Sequence, residues 1–533
     1  MGHIVPESRA GKVAAMSSFP HPDPAPNADL AAHGGHGRAD PDFYRELRNE
    51  VFDGRRWIDR AIVLAYGALA GAVVVLFTLM ITWAFDFFSA LTAPAPWLPL
   101  IWTPLLTAGI VWLTRRHAPL ATGSGIPQVI AAQDPALDDD GRRWFVSLKL
   151  TVAKLLLGTL GFIAGLSIGK EGPSVQVAAG VLLHSRRWLG ARSVSPQALL
   201  VAGGAAGIAA AFNAPLAGVV FAFEELSRRM EARYSGVVIA AIVLAGLMGV
   251  SAFGNQAYFG SIQIPPPGWH LLLPGLMVTV VAGLMGGLFA KLMIVTLTVG
   301  AVRGRPPRWA APLRRLAAWR HRWPVRFAAA LGLAVAVIGL ISGGSTFGPG
   351  TGPAAQLLHG QTPSAALAFG PLKFLATWLT AWSGVPGGIF APTLAAGAGL
   401  GYDIARLWGD GVNTALIAIG MAGFLAAVTQ APITSFLIVM EMIDGRPLVL
   451  SLMAVAMTAA AISRMISRPL YATLAANMLA QFKSRHEWVD LSPPPVAPAG
   501  AGAAAEPSAP NPQSATAPPA PSLPRTPPPD QSA

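Results

Sequence analysis

Long apolar runs recur along this chain, at about 61–84, 97–113, 150–168, 236–253, 271–300, 327–342, 413–428 and 447–462. Several approach or exceed the ~20 residues that a membrane-spanning helix needs. They lack the strict apolar–polar alternation of a barrel strand, so the pattern predicts an all-α polytopic membrane protein. Composition points the same way: of 533 residues, 53% are hydrophobic and only 12% charged, with a mean hydropathy of +0.51. Soluble domains carry about 25% charged residues.

The two ends of the chain differ from its middle. Residues 1–42 are rich in Pro, His, Gly and Ala and read as a disordered tail without a signal peptide's charged start and apolar run. A metal could be imagined at His33 and His36, but a floppy polar tail is the plainer reading. Residues 43–60 look like a charged helix ahead of the first span. Residues 487–533 are dominated by Pro, Ala and Ser, which predicts a second disordered tail and no appended soluble domain. Between them, 43–480 reads as one transmembrane domain with halves at about 61–255 and 270–480.

Charge and cysteine usage narrow the function. The net charge is +12, but its basic residues cluster beside apolar spans: Arg55, Arg56 and Arg60; Arg115 and Arg116; Arg142 and Arg143; Arg228, Arg229 and Arg233; and the segment 303–326. That is the positive-inside signature of cytoplasmic loops, not a nucleic-acid surface. The expected location is a cell inner membrane, with both tails cytoplasmic. The absence of cysteine removes disulfides, thiolate metal sites and thiol nucleophiles. No nucleophile–base pair or His/Asp/Glu metal cluster stands within the spans, so neither an enzyme nor a cofactor is expected.

Two strings deep in apolar sequence carry the chemistry: Gly-Lys-Glu-Gly-Pro-Ser at 169–174 and Gly-Gly-Ile-Phe-Ala-Pro-Thr at 387–393. Proline is tolerated in the first turn of a helix, so each reads as a break followed by a helix start inside the membrane. A helix start offers free N–H groups and partial positive charge, which suits an anion. Glu171, a costly residue at that depth, stands in one of them. Glycine and proline of the two strings align at an offset of 219, and the stretches 204–225 and 421–442 align at 217 through Ala214-Pro215 with Ala431-Pro432 and Glu224 with Glu441. A duplication follows; such halves commonly place a substrate site at their interface near the bilayer midplane. A third break, Gly-Ser-Gly-Ile-Pro at 123–127, adds the Ser124 hydroxyl, although alone it would be a plain turn.

These three breaks, with Phe212-Asn213-Ala214-Pro215 running to Glu224-Glu225 and with Tyr471 in Arg-Pro-Leu-Tyr, resemble the CLC family of chloride channels and chloride/proton exchangers. The likeness spans about 43–480 in family order. It implies a CLC-type fold of two inverted repeats with many tilted, broken helices, forming a homodimer with one pathway per subunit. Chloride would be held by the Ser124 and Tyr471 hydroxyls and the backbone N–H groups of Ile389 and Phe390. Glu171 would be the gate and external proton acceptor, and Glu225 the internal proton-transfer acid. Read from the residues alone, Glu224, Glu225, Arg228, Arg229 and Arg233 form a solvated, mixed-charge helix end. Glu441 resembles a structural position. Ser124 favours chloride over the nitrate- and fluoride-type members, whereas Gln128 and Ile130 stand where some bacterial members carry glutamates. The function so implied is electrogenic chloride/proton antiport; a passive chloride channel of the same fold is the alternative. Partners are chloride, protons, the lipid bilayer and a second copy of the chain.

Overall fold

The computed structural model describes residues 54–190, 194–227, 235–260, 262, 268–298, 311–363, 368–409 and 413–485. Both predicted tails, residues 43–53 of the charged helix, and Arg228, Arg229 and Arg233 lie outside the described residues. Contacts divide the chain into a compact unit ending at Gln481 and a second from Phe482, of which only the end of one helix is described.

Among the described residues the fold is helical, with two isolated β-bridges and no strand. The first half runs α1 (Gly54–Thr92), α2 (Pro99–His117), α3 (Ile126–Ala131), α4 (Asp139–Phe145), α5 (Leu148–Ile163), α6 (Glu171–His184), α7 (Pro196–Phe212), α8 (Pro215–Phe221) and α9 (Ser235–Phe253). The second runs α10 (Leu272–Thr298), α11 (Ala311–Arg322), α12 (Pro324–Ile341), α13 (Thr351–Leu358), α14 (Phe369–Ser383), α15 (Phe390–Leu407), α16 (Thr414–Thr429), α17 (Pro432–Ile443) and α18 (Val449–Ile466), followed by α19 (Leu470–Arg485). Six stretches are long and apolar enough to cross a membrane, the longest being α1.

Local chemistry explains the breaks. Proline opens α2, α7, α8, α12 and α17 within their first two residues, where its missing N–H costs nothing. Left-handed backbone closes α7 at Asn213 (φ 55°) and α16 at Gln430 (φ 60°), and in both cases an Ala-Pro pair starts the next helix. The same unusual stop at equivalent positions is the repeat expressed in the backbone.

The helices sort into two environments. α6, α7, α15 and α16 are buried along nearly their whole length. They are mostly apolar around their whole circumference, as a helix enclosed by others should be. Small residues let their backbones touch. A Cβ at Gly203 on α7 would meet the Ala179 backbone of α6, and one at the equivalent Gly420 on α16 would meet the Gly397 carbonyl of α15. Such close approach supplies the packing that holds helices together in lipid. Around them α1, α2 and α10 turn apolar side chains outward, including Leu69, Leu76, Ile101, Leu105, Leu276 and Leu284. Exposed leucines of that kind belong against acyl chains.

The two halves meet through pairs of equivalent groups. Gly169 and Gly388, one repeat offset apart, exchange N–H···O hydrogen bonds of 2.8 Å in both directions across an antiparallel bridge. A residue pairing reciprocally with its own counterpart marks a pseudo-two-fold axis between the halves, as inverted repeats require. α6 and α15 therefore both begin beside that axis.

Candidate functional site

The site is assembled from chain breaks that converge at the bridge. Gly123 (φ +75°) and Gly125 (φ +110°) turn the chain so that Ser124 sits just ahead of α3. The Gly387 N–H donates to the Gly123 carbonyl at 3.2 Å, tying this turn to the break before α15. Space beside Ser124 is minimal: a Cβ at Gly172 would strike its Oγ, its carbonyl oxygen and Gly388 Cα. The sequence motifs are thus neighbours in space.

Glu171 is the first residue of α6 and is 1% exposed. Its Oε2 accepts from the Ala391 N–H of α15 at 3.4 Å, and its Oε1 has no hydrogen-bond partner among the described residues. The carboxylate of one repeat therefore reaches the helix start of the other. Ile389 and Phe390 open α15, where amide N–H groups have no carbonyl one turn earlier to receive them. The Phe390 ring stacks on Tyr471 at 6.0 Å and 16°, with Phe212 and Phe221 against its other sides.

Tyr471, near the start of α19, is 1% exposed. Its hydroxyl lies near that of Ser124 and within electrostatic reach of Glu225 and Glu171. Nevertheless, neither the Tyr471 nor the Ser124 hydroxyl makes a hydrogen bond of good geometry among the described residues. Buried polar atoms are nearly always satisfied, so a cluster of orphans calls for an explanation.

Cavities approach the cluster from two directions. One of about 150 Å³ is lined by Glu171, Lys170, Asp86, Tyr258 and Thr351. Lys170 Nζ stands over the Tyr258 ring at 5.3 Å. The other, of about 600 Å³, is lined by Glu224, Glu225, Asp134, Gln430, Arg464 and Pro469. Glu224 and Glu225 sit on a π-turn, Ala222–Leu226, that continues α8. Such turns re-aim side chains and recur at functional sites. Glu224 accepts from the first-turn amides of α17, Ile433 N at 3.0 Å and Thr434 N at 2.6 Å.

Some functional groups were not read from the sequence. Lys154 on α5, fully buried, donates to the carbonyls of Ala121 (2.5 Å) and Gly123 (2.7 Å), pinning the Ser124 turn. Lys373 on α14 is its repeat counterpart and donates to Thr346 O (2.9 Å) and Gly348 O (2.6 Å). The available signal was a lysine within each of two apolar helices, Lys154 and Lys373, one repeat offset of 219 apart. Gln128 also ties the turn, through Nε2 to Thr122 O at 2.7 Å, while Ile130 lines the larger cavity.

Fold and site together define a helical membrane protein of two inverted repeats, with a buried carboxylate and orphaned donors between two cavities. The voltage gated chloride channel family model matches residues 106–464, well over half of the chain. This protein belongs to that family. It is 30% identical over 451 residues to the H(+)/Cl(-) exchange transporter ClcA of Cronobacter sakazakii, covering 79% of this chain and 90% of the relative. Identity to the ClcA exchange transporter of Vibrio cholerae is 30% over 396 residues, covering 72% and 79%. A slow cyanobacterial Cl−/H+ antiporter of known structure superposes with a TM-score of 0.63 at 24% identity, covering 80% of this chain and 98% of its own. That likeness is one of fold.

Proposed function

We propose that the chain exchanges chloride for protons across a membrane, the anion and the Glu171 carboxylate taking turns at one position. The observation that carries this reading is the set of three orphaned buried atoms, Ser124 Oγ, Tyr471 Oη and Glu171 Oε1. A chloride accepting from both hydroxyls and from the Ile389 and Phe390 amides would satisfy the donors at once. The start of α15 adds favourable partial charge, typically ~0.3–1 kcal/mol and up to ~2 when partly buried. Several weak dipoles bind an anion without trapping it, as turnover demands.

Glu171 is the natural competitor. Ionised, it mimics the anion and holds the Ala391 amide; protonated, it loses the charge that made it a rival. Chloride arriving at the cradle repels the carboxylate and favours its protonated form, and the smaller cavity gives that acid somewhere to go. Glu225, on the larger cavity and within the field of Tyr471, is the internal proton-transfer acid. Both curated relatives named above are called H(+)/Cl(-) exchangers, which favours coupled exchange over a passive pore.

The proposal places one such pathway in each subunit. The reading includes a homodimer in an inner membrane, with both tails, 1–42 and 487–533, on the cytoplasmic side. Purified protein in liposomes under a chloride gradient tests it with a pH electrode. Chloride should drive protons uphill, and Glu171→Ala or Glu225→Ala should stop the protons while leaving chloride flux. Chloride movement without a proton signal in the unaltered protein would make it a passive channel.

A further inference from the structure

A third cavity, of about 540 Å³, lies apart from the two flanking the site, where α4, α5 and α6 meet. Arg142, Arg143, Arg186 and Arg187 line it, with Asp139 as an acidic member and Leu183 on its apolar side. Asp139 accepts from Arg142 Nη1 at 3.3 Å and from Arg186 Nε at 3.4 Å, so one carboxylate holds two guanidiniums in place. Arg143 pairs with Asp140 at 2.9 Å, and Arg187 has no acidic partner among the described residues. The lining is therefore preorganised and still net positive.

Arg142 is the telling residue. Its side chain is 10% exposed, and its Nε has no hydrogen-bond partner among the described residues. A guanidinium that far from water with a donor unspent is matched to a tetrahedral oxyanion, which can take two of its N–H groups together. The surroundings add an apolar requirement. Trp144 and Trp188 are exposed beside the cavity, as expected at a membrane–water boundary. From its rim, Leu148, Val152 and Leu156 run up α5 at helical spacing, all exposed, towards the bilayer centre. By the excess of arginine, this end faces the cytoplasmic leaflet, where acidic lipids reside.

We propose that this cavity binds the headgroup of an anionic phospholipid, its phosphate against Arg142 and Arg186 and an acyl chain along Leu148, Val152 and Leu156. A free phosphate would satisfy the arginines but leave the leucine track unused. Native mass spectrometry of the full-length protein separates these sources, titrating dioleoylphosphatidylglycerol, dioleoylphosphatidylcholine and inorganic phosphate in turn. The acidic lipid should be retained at about one per chain and at least about tenfold more tightly than the zwitterionic one. Arg186→Gln with Arg187→Gln removes charge from a half-buried and an exposed position and should erase that preference, with chloride flux unchanged. Arg142→Lys keeps the charge but loses the fork, and should weaken retention as well. Equal retention of both lipids, a preference unaltered in the double variant, or displacement of the lipid by millimolar inorganic phosphate would each overturn the proposal.

Discussion

Glu224 and Glu441 bind crosswise between the repeats. Glu224, on the π-turn after α8, accepts from Ile433 and Thr434 at the start of α17. Glu441, on α17, accepts from Leu216 N at 3.2 Å and Ala217 N at 2.8 Å at the start of α8. Each carboxylate thus caps the helix that carries the other. The arrangement answers two needs together: first-turn amides without partners, and acids in an apolar setting.

That clasp separates two adjacent acids. Glu224→Gln retains one acceptor and loses the charge, so it should lower stability by about 1 kcal/mol, as loss of a helix cap typically does. Proton coupling should persist in it. Glu225→Gln should do the reverse in transport, stopping proton movement in liposomes while chloride flux continues. A Glu224→Gln protein that lost coupling while keeping its fold would reverse the two assignments. Glu441→Gln should match Glu224→Gln in stability, because it removes the mirror-image contact.

The orphaned hydroxyls give a prediction with opposite signs for binding and folding. Tyr471→Phe and Ser124→Ala each delete a donor that makes no hydrogen bond among the described residues. Without chloride, their melting temperatures should equal or exceed that of the parent, since no satisfied bond is lost. Chloride affinity by calorimetry should fall, with about 1 kcal/mol, or roughly fivefold, expected for each. Chloride should raise the parent's melting temperature by binding linkage, and this rise should vanish in the double variant. If the double variant still gains stability from chloride, the anion sits elsewhere.

Much of this architecture was legible because glycine and proline leave fixed marks on a backbone. The strings at 169–174 and 387–393 betrayed two helix starts, and an offset of 217–219 betrayed the repeat that joins them. Meetings between distant segments were harder to see. Nothing in the order of residues says that Glu171 reaches Ala391, although the repeat makes it reasonable. The choice between Glu224 and Glu225 depends on a π-turn that composition does not announce. The basic cavity joins Arg142, which alone looked like ordinary loop charge, to Arg186 through Asp139.

The turn carrying Ser124 rests on Lys154, and this can be tested against its counterpart. Lys154→Met leaves the Ala121 and Gly123 carbonyls without their donor, and Lys373→Met does the same to Thr346 and Gly348. Leaving a buried acceptor unsatisfied costs about 1–3 kcal/mol, so both variants should melt earlier by similar amounts. Their effects on binding should differ. Lys154→Met frees the loop that presents the Ser124 hydroxyl and should weaken chloride binding. Lys373→Met frees the loop ahead of Thr351, on the smaller cavity, and should leave chloride affinity nearly unchanged. Equal losses of affinity would mean that the lysines act through long-range charge and not through the loops they hold.

Packing at Gly172 sets the tightest steric limit on the site. A methyl group there meets Ser124 Oγ and two backbone atoms, none of which can swing aside without breaking the cradle. Gly172→Ala should cost about 1–3 kcal/mol through overpacking and abolish chloride binding. Gly109 on α2 is the control, because a Cβ there meets nothing within 4 Å. Replacing a helix-interior glycine by alanine where space is free stabilises by about 0.5–1 kcal/mol. Gly109→Ala should therefore melt slightly later than the parent and transport normally. Chloride binding retained in a folded Gly172→Ala protein would show that α6 and the Ser124 turn can separate, and that the anion site does not depend on their contact.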